Sequence, residues 1–226
     1  MLGLDPVACT RFCEQPDLPT VGGTKNPDIR AIVELAPDVV VVNDEENRLE
    51  DARALAAAGL RVHDTSPRSV ADVGPALVAL GDALGLDVPE PFPAGAWEGW
   101  LDTQRAATPG LRRRAAVLVW RRPWMTMNAD TYGSSLLELL AIDNVFVAAG
   151  DRYPTTDLDT IAARRPDVVL LPSEPYPFTD RHTAEVASDV GDADVRLVDG
   201  RELFWWGIRT PGALARLRAA LVTTAG

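Results

Sequence analysis

Short runs of consecutive apolar residues alternate along this chain with segments whose apolar residues recur every three or four positions. The runs at residues 39–42 and 168–171 contain only valine and leucine, as is typical of parallel strands buried on both faces. The recurring pattern, clear at Leu214, Leu217 and Leu221, predicts amphipathic helices. This alternation indicates an α/β protein with mostly parallel sheets.

A strand, loop and helix are predicted in the middle of the chain, across residues 115–146. The apolar run at 115–120 predicts the strand, and Thr131 can cap the helix because its hydroxyl can accept a free backbone N–H. The polar loop between them holds Arg121 and Trp124. Because ligands bind at the carboxyl ends of strands in open α/β sheets, we expect this loop to contribute to a binding site.

One segment of the chain is repeated. A helix that begins at Asp28, a proline stop, a four-residue strand and Glu45 recur 129 positions later, from Asp157 to Glu174. So many matching features in one register predict two related α/β lobes. Since ligand sites favour domain interfaces and strand-end crevices, we expect a cleft between the lobes into which Glu45 and Glu174 point.

Prolines suggest where the lobes divide, since three of them fall between residues 87 and 93. We predict an N-terminal lobe at 1–88, a linker and backbone helix at 89–110, and a C-terminal lobe at 111–226. Residues 4–7 weakly match residues 142–145, which follow a predicted strand and helix in the second lobe. We therefore expect the first lobe to lack its first strand and helix.

Charge and hydropathy narrow the class of partner. A net charge of −11 argues against nucleic acid or an anionic membrane surface, since both need clustered cations. No apolar run reaches about 20 residues, the length of a membrane helix, and no basic and apolar leader follows Met1. We expect no membrane insertion and, from the chain as written, no export.

Cys9 and Cys13 allow a strained disulfide, half a metal site or two free thiols, and free thiols are favoured.

Catalytic motifs are missing from the sequence, which has no Gly-x-Ser-x-Gly, no Walker loop and no Gly-x-Gly-x-x-Gly. His63 and His182 lack partners at metal-ligand spacing, so a structural role is favoured for both. Glu45, Glu46 and Glu174 can bind a hard metal through oxygen, but helix capping or solvation explains them equally well. We predict a binding protein rather than an enzyme, with no metal site and no cofactor.

Motifs along nearly the whole chain closely resemble one known family. In order, they are VGGTKNPD (Val21 to Asp28), LAPDVVVVNDEEN (Leu35 to Asn47), WRRPWMTMNADTY (Trp120 to Tyr132), DNVF (Asp143 to Phe146), RYP (Arg152 to Pro154), PDVVLLPSEPYPF (Pro166 to Phe178) and LFWWG (Leu203 to Gly207). The chain thus resembles the helical-backbone (class III) substrate-binding proteins of ABC importers, and among them the cobalamin-binding or helical-backbone metal receptor subgroup.

The resemblance implies two lobes bridged by one rigid helix, here at residues 94–107, with little closure on binding. It also implies a ligand, a corrinoid such as cobalamin or an iron or other metal chelate, that is delivered to an ABC permease from outside the cytoplasm. The missing leader leaves an alternative open, a cytosolic sensor or carrier of a corrinoid or metal chelate that works without a transporter.

Aromatic residues in strand-end loops are the main candidate ligand contacts. Trp124 and Trp205 are expected to line the cleft, where they can stack on a macrocycle. Trp120 ends a strand, so a core position is favoured for it. The full set of candidates is Trp124, Trp205, Trp120, Tyr132, Tyr176, Arg121 and Glu45. Arg121 can meet ligand carboxylates, amides or phosphate, or be solvated.

The resemblance further implies that one acid on each lobe docks on the permease. The nearest matching positions are Glu50 and Asp180, which begin helices that follow the repeated strands. We predict that these two carboxylates contact the transporter.

Overall fold

Helices and strands alternate along the chain in the computed structural model, which describes residues 4, 6–13, 15, 17–108 and 111–222. The chain forms two units, which we call unit 1 (residues 1–66 and 75–89) and unit 2 (residues 67–74 and 90–226). The predicted α/β class is confirmed. The predicted lobe boundaries, the cleft and the bridging role of the 94–107 helix stay predictions.

Unit 1 contains two pairs of short strands. The antiparallel pair is β1 (Gly22–Gly23) and β2 (Asn26–Pro27), and the parallel pair is β3 (Val40–Val42) and β4 (Val62–Asp64). Its helices are α1 (Ile29–Leu35) and α2 (Leu49–Ala57). A further helix, α3 (Val70–Leu84), begins in unit 2, and its residues from Pro75 onward belong to unit 1.

The core of unit 1 is small. Val21, Ile32 and Leu55 are buried, and Val40 packs against them. The side chain of Val41 points to the opposite side of β3, as alternation along a strand requires, and it is 47% exposed. The expectation that this valine run is buried on both faces is therefore wrong.

Unit 2 contains six strands and six helices among its described residues. The strands are β5 (Arg113–Val117), β6 (Trp124–Met125), β7 (Ile142–Asn144), β8 (Thr155–Thr156), β9 (Val168–Pro172) and β10 (Asp194–Val198). Besides the start of α3, the helices are α4 (Ala94–Ala106), α5 (Tyr132–Glu138), α6 (Leu158–Ala163), α7 (Asp180–Ala187), α8 (Gly200–Phe204) and α9 (Thr210–Leu221). The helix predicted at residues 94–107 corresponds to α4, whereas residues 109–110, at the end of the predicted linker segment, lie outside the described residues.

Four of these strands form a parallel sheet in the order β10–β9–β5–β7, while β6 and β8 form a separate antiparallel pair. All five residues of β9 are buried, since it lies between β10 and β5. Phe146, Ile161 and Val186 pack with β9 in the core, and each fully buried side chain of this kind contributes about 1.5–3 kcal/mol. In a parallel sheet the carboxyl ends of all four strands lie at one edge.

The predicted repeat is present in the local structure. Asp28 and Asp157 cap α1 and α6, each accepting the backbone N–H of the third helical residue, at 3.0 and 2.6 Å. Ala36 and Arg165, which follow the two helices, both adopt left-handed φ values, 46° and 49°. The same cap and the same stop thus recur 129 residues apart.

Trp97 packs α4 against the start of α3 within unit 2. It is 1% exposed, and its Nε1 donates to the carbonyl oxygen of Val70 at 3.0 Å. Its ring stacks on Phe92 and Trp100, with centroids 5.2 and 4.5 Å away. A Cβ on Gly74 would lie 2.5 Å from Cγ of Trp97, so only glycine permits this close approach.

Both cysteines are free thiols, as favoured from the sequence, with Cys9 partly buried and Cys13 exposed. Within the described ranges, no helix has the length and apolar character needed to span a membrane.

Candidate functional site

Three loops follow neighbouring strands at the carboxyl edge of the unit 2 sheet. We call them the β5 loop (residues 118–123), the β9 loop (173–179) and the β10 loop (199–209, which includes α8). The predicted strand at 115–120 is confirmed with shifted bounds, because β5 ends at Val117. The chain then turns back through β6, which pairs with β8.

The β5 and β9 loops and β6 bring four rings together, and we call Trp120, Trp124, Tyr176 and Phe178 the aromatic cluster. The ring of Trp120 meets Tyr176 edge-on, with centroids 5.5 Å apart. Tyr176 lies 4.7 Å from Phe178, and Trp124 lies parallel to Phe178 at 6.2 Å. The structure thus assembles three of the predicted ligand contacts.

Trp120 is the exposed member of the aromatic cluster, at 42%. The core position favoured for it from the sequence is therefore wrong. The reason is the early end of β5, after which Trp120 forms an antiparallel bridge with Met125, whose N–H donates to its carbonyl oxygen at 3.1 Å. This turn carries the indole out of the sheet.

Arg121 is held by an ion pair with the protein itself. Its Nη2 lies 2.5 Å from Oε1 of Glu185 on α7, and its guanidinium carbon lies 5.5 Å from the ring centroid of Trp124. The hydrogen bond from Arg121 to Glu185 raises the pKa of the guanidinium above its ordinary value. Only 18% of the Arg121 side chain is exposed, and its guanidinium forms a cation–π contact with the Trp124 ring.

His182 supports the aromatic cluster from α7. It is 1% exposed, and its ring meets Tyr176 and Phe178 edge-on, at 5.5 and 5.4 Å. Its Nδ1 accepts the backbone N–H of Thr179 at 2.9 Å, which makes His182 the third helical residue of a capping box. These contacts give His182 a structural role, which is the role that the sequence favoured.

Trp205 follows α8 and lies among charged side chains. The guanidinium carbons of Arg201 and Arg209 each lie 5.5 Å from its ring centroid. Arg209 is paired with Glu202 at 3.2 Å, and Arg201 with Glu174 at 3.4 Å. None of the ring contacts in the described part of the chain joins Trp205 to the aromatic cluster.

Two further candidates lie elsewhere. Tyr132 is only 4% exposed, its hydroxyl lies 3.0 Å from Oγ1 of Thr210, and burial raises its pKa to about 12. Glu45 belongs to unit 1, where its backbone N–H donates to Oδ1 of Asn43 at 2.9 Å and its carbonyl oxygen accepts from Lys25. Ligand contact by either residue stays a prediction.

The two predicted docking acids are exposed at helix starts. Glu50 lies in the first turn of α2, with Oε1 3.7 Å from Nε of Arg48, and Asp180 is the first residue of α7. Their contact with a transporter also stays a prediction.

Sequence reasoning missed several residues that build this edge of the sheet, namely Phe178, Glu185, Arg201, Arg209 and Glu202. The pattern Thr179-x-x-His182 resembles a capping box and could have placed His182 at a helix start. No local signal connects Glu185 to Arg121, which is 64 positions earlier.

The arrangement suits a flat, partly apolar molecule, since rings lie at the strand ends and the arginines beside them are paired with carboxylates. Among the residues that the structure describes, no group of three or more His, Cys, Asp or Glu side chains is placed to hold a metal ion.

Comparison with known sequences gives one family. A sequence model described as periplasmic binding protein matches residues 6–189. A search of curated proteins finds no match.

Solved structures share the fold. The periplasmic vitamin B12 binding protein BtuF of Vibrio cholerae is 18% identical with a TM-score of 0.75, covering 94% of this chain and 86% of its own. The periplasmic heme binding protein HutB of Vibrio cholerae is 15% identical with a TM-score of 0.75, covering 96% and 90%. A periplasmic heme binding protein from Pseudomonas aeruginosa is 21% identical with a TM-score of 0.70, covering 94% and 83%.

These low identities establish the fold and leave the ligand open. The family match, by contrast, extends over most of the sequence. The chain belongs to the periplasmic binding protein family, in its helical-backbone (class III) ABC substrate-binding group, as its motifs predicted.

Proposed function

We propose that this protein binds a corrinoid or a metal chelate, such as a metal-bearing macrocycle, and delivers it to an ABC importer outside the cytoplasm. The observation that carries the proposal is Trp120, an indole 42% exposed at a strand end and supported edge-on by Tyr176. An exposed ring fixed in this way offers a rigid apolar face at little entropic cost, and a stacked aromatic pair gains about 0.5–1.5 kcal/mol beyond its buried area.

The charges near the rings support a ligand held mainly through its flat face. Arg121, Arg201 and Arg209 each have a carboxylate within 3.4 Å. A charged ligand group must compete with these ion pairs, whereas an apolar face need only displace water. The structural relatives, with their B12 and heme ligands, make a corrinoid and an iron porphyrin the first two compounds to test.

The direct test is an absorbance titration of the purified protein with cyanocobalamin, with hemin and with a ferric siderophore, followed by calorimetry. We expect a visible spectral change and saturable binding with one of these compounds, and quenching of tryptophan fluorescence on binding. Trp100→Phe, which changes a tryptophan of α4, is a control expected to keep the affinity. Failure of all three compounds to bind would remove the proposal.

Delivery to an importer adds a partner, an ABC permease. Glu50 and Asp180 are the proposed docking acids, since both are exposed carboxylates at helix starts. Glu50→Gln together with Asp180→Asn should abolish transporter-dependent uptake and leave ligand affinity unchanged. Loss of ligand affinity in this double variant would instead place the two acids at the ligand site.

A further inference from the structure

His182 joins the backbone of α7 to two rings of the aromatic cluster. Its Nδ1 accepts the N–H of Thr179 at 2.9 Å, which satisfies one of the free donors at the start of α7. Its ring meets Tyr176 and Phe178 edge-on, and these two residues lie three positions and one position before Thr179. One buried imidazole therefore fixes both the helix start and the β9 loop that leads into it.

The hydrogen bond determines which nitrogen carries the proton. Both ring nitrogens face donors, the Thr179 N–H at 2.9 Å from Nδ1 and the Arg181 Nε–H at 3.3 Å from Nε2. Because the backbone N–H is fixed in the shorter bond, whereas Arg181 is exposed and can turn away, Nδ1 is the acceptor and the single ring proton of neutral His182 resides on Nε2. Proton uptake at Nδ1 would turn this acceptor into a second donor that faces the Thr179 N–H. The new donor would also compete for the Thr179 hydroxyl, 3.1 Å from Nδ1, which in the capping box accepts the backbone N–H of His182. Proton uptake would also place a cation at a helix N-terminus, where the helix dipole disfavours positive charge.

We infer that His182 is a positioning residue for the aromatic cluster, and that its protonation opens the capping box, frees the β9 loop and weakens ligand binding. The part that concerns the ligand rests on the function proposed above.

Charged groups on every neighbouring element bear on this step. On α7 these are Arg181, whose Nε lies 3.3 Å from Nε2 of His182, and Glu185. Arg121 contributes from the β5 loop, and the Tyr176 phenol belongs to the β9 loop. Burial lowers the pKa of His182 below its ordinary value of 6.5, Arg181 and Arg121 lower it further, and Glu185 opposes them. The ring thus stays neutral at neutral pH and takes up its proton only in moderately acidic solution.

The sign of the effect follows from linkage. The pKa of His182 is lower in the folded state than in a state with the loop open, so the ring binds a proton more readily when the loop is open. Acid therefore favours the opened loop. Affinity is fully present at neutral pH and falls as the pH drops through the folded pKa. Linkage to one proton limits this fall to about tenfold per pH unit.

The first experiment needs no ligand. NMR of ring-labelled histidine in the whole protein should show His182 as the Nε2–H tautomer at neutral pH, and the tryptophan fluorescence of the aromatic cluster should change over the same acidic range in which that tautomer disappears. A His182 ring with its proton on Nδ1 at neutral pH would overturn the inference.

The second experiment compares variants for binding of cyanocobalamin and of hemin between neutral and acidic pH. His182→Gln keeps a capping-box acceptor without a titrating group, so it should bind at neutral pH and lose the acid-induced fall. His182→Ala should bind more weakly at all pH values, and His63→Gln, the matched change at the other histidine, should behave as wild type. An acid-induced fall of unchanged size in His182→Gln would refute the inference.

The two proposals fail differently. If neither compound binds at neutral pH, the ligand assignment is wrong. The tautomer and the fluorescence change of the free protein still decide the positioning role of His182.

Discussion

Gly200 and Glu174 lie in backbone contact: a Cβ built on Gly200 would come within 2.5 Å of the Glu174 nitrogen and 2.8 Å of its carbonyl oxygen. The N–H of Gly200 also donates to Oγ of Ser173 at 3.0 Å. This contact joins the β9 loop to the β10 loop, so the positions of Tyr176 and Trp205 both depend on a glycine at residue 200.

Gly200→Ala should therefore destabilise the protein by about 1–3 kcal/mol, because the new methyl group must push backbone atoms apart. Denaturant unfolding measures this change. Gly99→Ala is the matched control, since a Cβ at that exposed position of α4 meets nothing within 4 Å and alanine should gain about 0.5–1 kcal/mol over glycine in a helix. Equal effects of the two changes would show that the loop contact is not tight.

Because of Glu202, the unfolding free energy of the protein should vary with pH in the acidic range. Hydrogen bonds and charges from Arg216 and Arg209 lower the pKa of Glu202 below its ordinary value of 4.5, although burial opposes them. A carboxylate with a depressed folded pKa stabilises the fold above its unfolded value, and this contribution is lost as the pH falls through the folded value. The unfolding free energy of wild type should exceed that of Glu202→Gln at neutral pH and converge with it in acid.

The exposed Glu98→Gln on α4 serves as the control for Glu202 and should match wild type throughout. A difference between wild type and Glu202→Gln that does not vary with pH would contradict the ion-pair explanation.

Trp120 should contribute more to ligand binding than Trp124. Phe178 lies parallel to the Trp124 ring and Arg121 lies over it, whereas Trp120 is 42% exposed. We expect Trp120→Ala to weaken binding of the ligand found by titration by about 1–3 kcal/mol. Trp124→Ala should weaken binding less than Trp120→Ala, because it acts by releasing Arg121. The double variant Trp124→Ala with Trp205→Ala tests the two tryptophans that the sequence predicted at the ligand site. Calorimetry in which Trp120→Ala keeps the wild-type affinity would argue against its role.

Amide exchange should be faster in β3 than in β9. Every residue of β9 is buried and both its neighbours are strands, while among the described residues β3 pairs only with β4 and exposes Val41. Opening of β3 therefore exposes less apolar surface and costs less free energy. Hydrogen exchange followed by mass spectrometry gives the comparison, and equal protection of the two strands would count against it.

The amino-acid sequence by itself determined the local structure. Asp28 and Asp157 cap helices through bonds to residues three positions away, and the prolines after Ala36 and Arg165 end those helices. Such signals act within one helical turn, so they can be read along the chain and they revealed the repeat. The family motifs were equally visible, because they are contiguous segments.

Only the tertiary structure decided how the site is built. Whether Trp120 is core or exposed depends on where β5 stops pairing, and the environment of Trp124 depends on Arg121 and Glu185, which lie 64 positions apart. His182 became a support for the aromatic cluster because the β9 loop folds its rings back onto α7. These contacts join loops from different strands, and their geometry is set by the order and register of the sheet, which no short stretch of sequence contains.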